Sequence, residues 1–395
     1  MLGFERAFRG DVIQGNDTGN DNAERAAFIH QEILQLSVLV LVAVAGFFVT
    51  RALAANARDM SLRDAAEWYS RGQQALQGGH VDAAIDAFRR ATIRNRTDKD
   101  YVLALARALA LNHDDDAARG VLLTLRESAP EDAGINLELA RLAAHRQDVT
   151  EALRFYHNAL YAPWPTALAD ARRHVRLELI RFLLTHDQSA RALAELLAVA
   201  SDLPDEVAAH LQVGQLFAEA GDDNRSLDQF QRALRLDPDN GTALAGAGES
   251  AFHLGQYVVA LTYLRNAPRD FDKVAAMREV VELVLSDDPL ANRIGSAERR
   301  RRLLSGLEYA RQRLAACTAQ RTDAQATNEQ VALQAETEEF INRLEPASVL
   351  GQDVIEAGVD LLDRIARHVA PGCGSPTPRD RALILIGRQH GGDAK

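Results

Sequence analysis

Two cysteines, eleven histidines and a run of four arginines are the residues of this sequence whose chemistry could matter most. Cys317 and Cys373 stand 56 positions apart, and no histidines sit at matching spacing, so a structural zinc site is not supported. Joined to each other, they would close a long loop of the kind kept in oxidising compartments; left apart, they are ordinary buried or surface thiols. The histidines are scattered, and His113, His186 and His253 fall near expected helix turns, where solvent exposure explains them better than ligation. No phosphate-binding glycine loop, no HExxH, no GxSxG and no CxxC occurs. Arg299–Arg302 suggest contact with phosphate or lipid headgroups, but four consecutive residues spread around a helix and form no single face, so solvation of a helix start is the better reading. The expectation is of no enzyme, no cofactor and no metal.

The elements that must position these residues follow from composition. The chain has 395 residues, 47% apolar, 26% charged and only 6% aromatic, with abundant Ala and Leu and 11 prolines. That balance favours an all-α fold over a β-sandwich and is far too apolar for a disordered chain. Lys and Arg total 45 against 56 Asp and Glu, a net charge of −11, which excludes nucleic-acid binding through a general basic surface.

Residues 33–50 read ILQLSVLVLVAVAGFFVT, without a charge, and Arg51 closes the run. As a helix this run spans roughly 27 Å at ~1.5 Å per residue, close to the thickness of a hydrocarbon core, and its apolar residues surround the helix instead of lining one side. The sequence therefore predicts a transmembrane helix at 33–50. Ala52-Leu53-Ala54 has the form of a signal cleavage site, yet residues 1–32 carry a net charge of −3 where a signal peptide would be short and basic. An uncleaved anchor behind a flexible acidic tail, 1–32, is the expectation.

Beyond Met60 the chain repeats itself. The pattern Trp68-x3-Gly72-x6-Gly79-x4-Ala84-x3-Phe88-x2-Ala91 recurs at an interval of 34 residues, so Gly72 becomes Ala106 and Ala140, Ala84 becomes Ala118 and Ala152, and Phe88 becomes Leu122 and Tyr156. Six extra residues, Ala167 to Arg172, follow Pro163-Trp164-Pro165, and the register resumes through Ala192, Leu196, Gly214, Phe230, Gly248 and Leu264. The units are 65–98, 99–132, 133–166, 173–206, 207–240 and 241–274, within a repeat region 61–274. Small residues at repeat positions 8 and 20 let two helices approach, a large apolar residue at position 24 fills the space between hairpins, and a proline at position 32 stops the second helix. Ile180 departs at position 8, and Arg96 and Asp272 stand where proline is expected.

This pattern resembles the tetratricopeptide repeat family, most closely in WYSRGQQALQGGHVDAAIDAF and LQVGQLFAEAGDDNRSLDQFQRALRLDP. The resemblance implies a right-handed superhelix of helical hairpins with a concave face, lined by positions 2, 5, 9, 12 and 13 of each first helix. Position 5 would supply an apolar ladder of Tyr69, Leu103, Leu137, Leu177 and Leu211, and position 9 the arginines Arg107, Arg141 and Arg181. Such a groove suits a protein or peptide with acidic and apolar residues. The Lys and Asn of the family's clamp for a terminal carboxylate are absent. Glu138 and Glu178, at position 6, are internal acceptors for the arginines, whereas Arg181 meets only Gln212 at the equivalent place.

Residues 275–290 look like a capping helix, broken by Asp287-Asp288-Pro289, and 297–395 like a further helical region without a recognised motif. The function expected is that of a membrane-anchored adaptor or scaffold, with a membrane-tethered chaperone or assembly factor in cell-envelope biogenesis or secretion as the alternative. Orientation signals conflict. Arg51, Arg58 and Arg63 follow the span and only Arg25 precedes it closely, which places the repeats in the cytoplasm with both cysteines as free thiols. A Cys317–Cys373 disulfide would argue for an extracytoplasmic placement instead.

Overall fold

In a computed structural model, residues 18–96, 98–268, 272–318, 324–345, 347, 349–369 and 375–391 are described, and every regular element among them is helical. The chain divides into two compact units, Met1–Ala159 and Leu160–Lys395.

The first unit is built on α1 (Thr18–Gln77), 60 residues without interruption. Its sequence contains no proline and no glycine between Gly46 and Gly72, and helix propagation is cheap once a long apolar stretch is helical. The expected flexible tail is corrected on this point: Thr18 to Glu32 are already helical, and only residues 1–17 lie outside the described ones. Described side chains from Leu34 to Met60 are exposed, and Ala65 is the first to be fully buried. Among the described residues, α1 is the one helix long and apolar enough to cross a membrane, by length and composition, and its apolar stretch is unburied. The membrane-length segment and the first helix of the first hairpin are thus a single rod.

Then follow α2 (Val81–Arg94), α3 (Lys99–Leu111), α4 (Asp115–Ser128), α5 (Ala133–His145) and α6 (Val149–Leu160). Within the first unit α1 packs on α2, α2 on α3, α3 on α4 and α4 on α5, which is the serial stacking of a helical solenoid. The second unit continues with α7 (Ala169–Thr185), α8 (Ser189–Ala200), α9 (Val207–Glu219), α10 (Asp223–Leu236), α11 (Gly241–His253) and α12 (Tyr257–Asn266), stacked in the same serial way. The six residues inserted before repeat four lengthen a helix: after a 3-10 turn at Thr166–Leu168, α7 has 17 residues where α3, α5, α9 and α11 have 13.

The repeat pattern has a visible steric basis. A Cβ added to Gly72 would stand 2.5 Å from the ring of Phe88, and one added to Gly248 would stand 2.6 Å from Leu264, so in these hairpins position 24 presses on position 8. Phe230 is held on two sides, since a Cβ on Gly214 would lie 3.2 Å from its ring and one on Gly246 only 2.4 Å. Position 20 is buried in every repeat, and where it is Ser226 the hydroxyl bonds that of Ser250 at 2.8 Å. Ile180 is accommodated with no exposure, and Leu196, at position 24 of that hairpin, is likewise fully buried. All six hairpin turns place position 15 in the left-handed region, at φ of 75° for Gly79, 59° for His113, 60° for Gln147, 57° for Asp187, 83° for Gly221 and 70° for Gly255. Helix starts are capped by carboxylates: Asp98, Asp114, Asp132, Asp148 and Asp222 each accept a backbone N–H from the following turn.

The C-terminal helices are α13 (Asp272–Asp287), α14 (Ser296–Thr318), α15 (Ala324–Leu344), α16 (Gln352–Val369) and α17 (Pro378–His390). They share one apolar core with the last repeats, running from Leu227 and Phe230 through Val281 and Val284 to Leu303, Leu362 and Ile386. Three of the four arginines are half-buried, and only Arg301 is a solvated side chain. Arg300 donates to the carbonyls of Leu344 and Glu345 at the end of α15, and Arg302 to those of Leu285 and Asp288 at the end of α13. Arg299 reaches the carbonyls of Ala291 and Ile294, and Arg301 pairs with Glu298. A guanidinium next to the unsatisfied carbonyls at a helix C-terminus meets both their hydrogen-bonding need and the negative end of the helix dipole.

α17 is fastened by a buried network. Asp380 accepts from Tyr309 at 2.9 Å and from Arg313 at 2.9 Å, and it closes a capping box with Thr377. Burial alone would push its carboxyl up, but the Thr377 N–H, the Tyr309 hydroxyl and Arg313 together hold it below the usual range. Arg379 and His390 join the helix to Asp287 and Asp288 at 2.7 and 3.0 Å. The expectation of free thiols is also corrected. Cys317, in the last turn of α14 and 1% exposed, is disulfide-bonded. The chain's one other cysteine is Cys373, which lies outside the described residues.

Candidate functional site

In the first unit, α3 and α5 run side by side, with α4 behind them. Their upper halves are closed: Leu103 points at the first turn of α5, its Cδ1 only 3.8 Å from where a Cβ on Gly134 would stand. Towards their C-terminal ends they part, leaving a cleft of about 470 Å³. Ala110, Leu111, Leu122 and Leu142 give it apolar walls, and Arg107, Glu138, Arg141 and His145 form its polar rim. Leu111 is 61% exposed, an unusual place for a leucine unless something covers it.

The rim is organised by one buried carboxylate. Glu138 has a side-chain exposure of 8%, and its Oε1 accepts from Arg107 Nη2 at 2.7 Å and from Arg141 Nη1 at 2.8 Å. Both guanidinium groups thus share one carboxylate oxygen, and Arg107 is 54% exposed at the rim. His145 is tied to Asp115 at 3.0 Å and lies near the ring of His113, with centroids 6.1 Å apart. Internal pairing is therefore the state of Arg107 and Arg141.

Within the second unit a comparable cleft of about 400 Å³ opens between α7 and α9. Arg181, Leu184, Gln212, Leu216 and Glu219 line it, and Gln215 donates to Glu219 at 3.1 Å. Arg181 is exposed and, among the described residues, has no acidic group within ion-pair distance. It can form a bidentate bond to a carboxylate without first breaking another.

The apolar ladder expected at position 5 is corrected by burial. Leu103 and Leu177 are 6% and 5% exposed and cannot touch a ligand. Leu137 and Leu211 are half-buried, and Tyr69 is held against Phe88 and Tyr101, with ring centroids 5.6 and 4.8 Å away. Position 5 joins neighbouring first helices; positions 9, 12 and 13 line the clefts. Leu111, Ala110, His145 and Leu184 were therefore the lining residues to single out, and their places one helical turn beyond the arginines were the available signal. Among the described residues no three His, Cys, Asp or Glu side chains gather to hold a metal ion.

Two stretches, 69–128 and 214–274, match the family model described as tetratricopeptide repeat. Solved structures similar to this chain include YrrB, described as a TPR protein with an unusual peptide-binding site, at 21% identity over 49% of this chain and 97% of that one, with a TM-score of 0.39. Another is a tetratricopeptide repeat protein from Parabacteroides merdae, at 13% identity over 76% of this chain and 99% of that one, TM-score 0.37. A third is the TPR2AB domain of yeast Sti1 in a complex with pHSP90, at 15% identity over 55% and 95%, TM-score 0.24. No curated protein matches the chain in sequence.

Proposed function

We propose that this chain is a membrane-anchored adaptor that binds partner proteins through peptide segments rich in acidic and apolar residues. The observation that carries the reading is the pair of open, apolar-walled clefts with arginines on their rims, one at Arg107 and Arg141 and one at Arg181. An acidic side chain of a ligand would bond the guanidinium groups while an apolar neighbour covers Leu111 or Leu184. Residues 33–50 of α1 serve as the anchor in this reading, supported by the exposure of the described apolar side chains from Leu36 onward. Because α1 is unbroken, the anchor would hold the first hairpin at a fixed distance, with about 14 residues or roughly 20 Å of helix between Thr50 and Ala65.

The disulfide at Cys317 supports an oxidising compartment for the helical units, against the arginines that follow the span. We therefore favour an extracytoplasmic placement. Affinity capture from detergent-solubilised membranes tests the adaptor reading. The quadruple variant Arg107→Ala, Arg141→Ala, Arg181→Ala and Leu111→Asp should retain its helicity and lose the proteins captured by the parent chain. Unchanged capture by that folded variant refutes the reading. One fixed set of captured proteins indicates a scaffold, and a broad client set indicates a chaperone.

A further inference from the structure

Beyond the repeats, the second unit has a groove that the repeat pattern does not account for. On α13, Lys273, Ala276, Met277 and Val280 occur at i, i+3, i+4 and i+7, which puts them on one face. On α17, Arg381, Ile384, Leu385 and Arg388 repeat the same spacing. The two faces look into one trough of about 440 Å³, with Phe252 of α11 at its side. α17 already buries its opposite face, Ala382, Leu383 and Ile386, in the core. Ile384 and Leu385 are half-buried, packed against the core at one edge and open to the trough at the other.

Lys273, Arg381 and Arg388 are the charged residues lining this trough. Lys273 pairs with Glu249 of α11, the one carboxylate bonded there. Arg381 and Arg388 are exposed and have no ion-pair partner within 4 Å among the described residues. Across an adjoining hollow Arg388 looks toward Glu356, Asp360 and Asp363 of α16, none within that distance. In a chain of net charge −11, two unpaired arginines flanking Ile384 and Leu385 form a local cationic frame around an apolar floor.

We propose that the α13–α17 groove is a second docking site, separate from the repeat clefts, and that it receives an amphipathic helix bearing acidic residues at its edges. Two packed helices that each turn an apolar strip into one trough offer a seat for a third helix through i, i+3, i+4 and i+7 anchors. Met277 gives the floor the adaptability such a contact uses. The arginines select for acidic flanks, and because they hold no internal pair, binding does not have to break one.

The test uses the full-length chain in detergent micelles and a fluorescein-labelled 16-residue helical peptide, with leucines at i, i+3, i+4 and i+7 flanked by glutamates. Anisotropy should show micromolar binding that weakens with salt, and a peptide with lysines in place of the glutamates should bind at least tenfold more weakly. Arg381→Glu with Arg388→Glu should weaken the acidic peptide at least tenfold at unchanged helicity, and Met277→Glu should do the same. Arg107→Ala with Arg141→Ala and Arg181→Ala should leave this affinity unchanged, so that failure of the repeat-cleft reading and failure of this one are told apart. The proposal is overturned if neither peptide binds, if both bind alike, or if only the repeat-cleft variant loses binding. It is equally overturned if sedimentation shows that the parent chain self-associates and the Arg381→Glu, Arg388→Glu variant does not, since the groove would then serve a second copy.

Discussion

Gln147→Gly should stabilise the first unit. Gln147 holds φ at 60° in the turn between α5 and α6, its side chain is exposed, and it has no side-chain hydrogen bond in the structure. A left-handed conformation costs a residue with a Cβ roughly 1–2 kcal/mol, and glycine removes that cost while adding about 0.5–1 kcal/mol of unfolded-state freedom. The net gain is about 0.5–1 kcal/mol. The converse change isolates the backbone contribution. No atom lies within 4 Å of a Cβ built on Gly221 or Gly255, which sit at φ of 83° and 70°, so Gly221→Ala has no crowding to blame and should lose about 1 kcal/mol from the conformation alone. Repeat arrays need not unfold as one step, so urea denaturation should be paired with hydrogen exchange at the amides of the turn. Gln147→Gly should slow local exchange there, and Gly221→Ala should speed it in its own turn. If Gln147→Gly destabilises while Gly221→Ala is neutral, the left-handed residue at position 15 carries no strain and the reasoning fails.

Glu138→Ala should cost about 1 kcal/mol in urea denaturation, a figure kept small because Arg107 and Arg141 are 54% and 44% exposed and can be rehydrated; a loss above 3 kcal/mol would mean that the carboxylate supports more than this pair. Acid should loosen α14–α17. Hydrogen bonds from Arg301 and Arg302 hold Glu298 at about 2, those from Arg311 and Gln312 hold Glu308 at about 2, and Asp380 is also held low. Since each folded value lies below the unfolded one near 4, the contribution is complete above about pH 5 and is lost as pH falls through the folded values; a flat circular-dichroism stability profile from pH 5 to 2 would refute this. Reduction of the disulfide at Cys317 should destabilise the second unit by about 4 kcal/mol in the chain-entropy model for a loop of some 55 residues closed with Cys373, and an unchanged melting temperature in dithiothreitol would contradict that pairing.

What the sequence made legible was whatever depends on contacts one repeat apart. Gly72, Ala84 and Phe88 recur because every hairpin solves the same packing problem, so their spacing carries the fold. Position 15 was legible only in Gly79, Gly221 and Gly255; His113, Gln147 and Asp187 hide the same backbone need behind side chains. Leu103 and Leu137 occupy the same repeat position yet differ in burial, which periodicity does not encode. Arg300 and Arg302 could not have been read at all: their acceptors are the carbonyl ends of α15 and α13, and a carbonyl has no sequence signature.

Net charge was the least reliable guide to the site, for a reason the helix ends make plain. Asp98, Asp114, Asp132, Asp148 and Asp222 are occupied by backbone N–H groups, and Glu138 serves two guanidinium groups from a buried position. A repeat of short helices needs an acceptor at each helix start, so a solenoid accumulates carboxylates through its architecture and its formal charge drifts negative. The five aspartates are directed at the backbone, and only Glu138 among these anions stands at a cleft. Arg181, Arg381 and Arg388 have no such duty. An acidic chain can therefore present cationic binding surfaces, and the residues to test first are those whose charge the fold itself does not use.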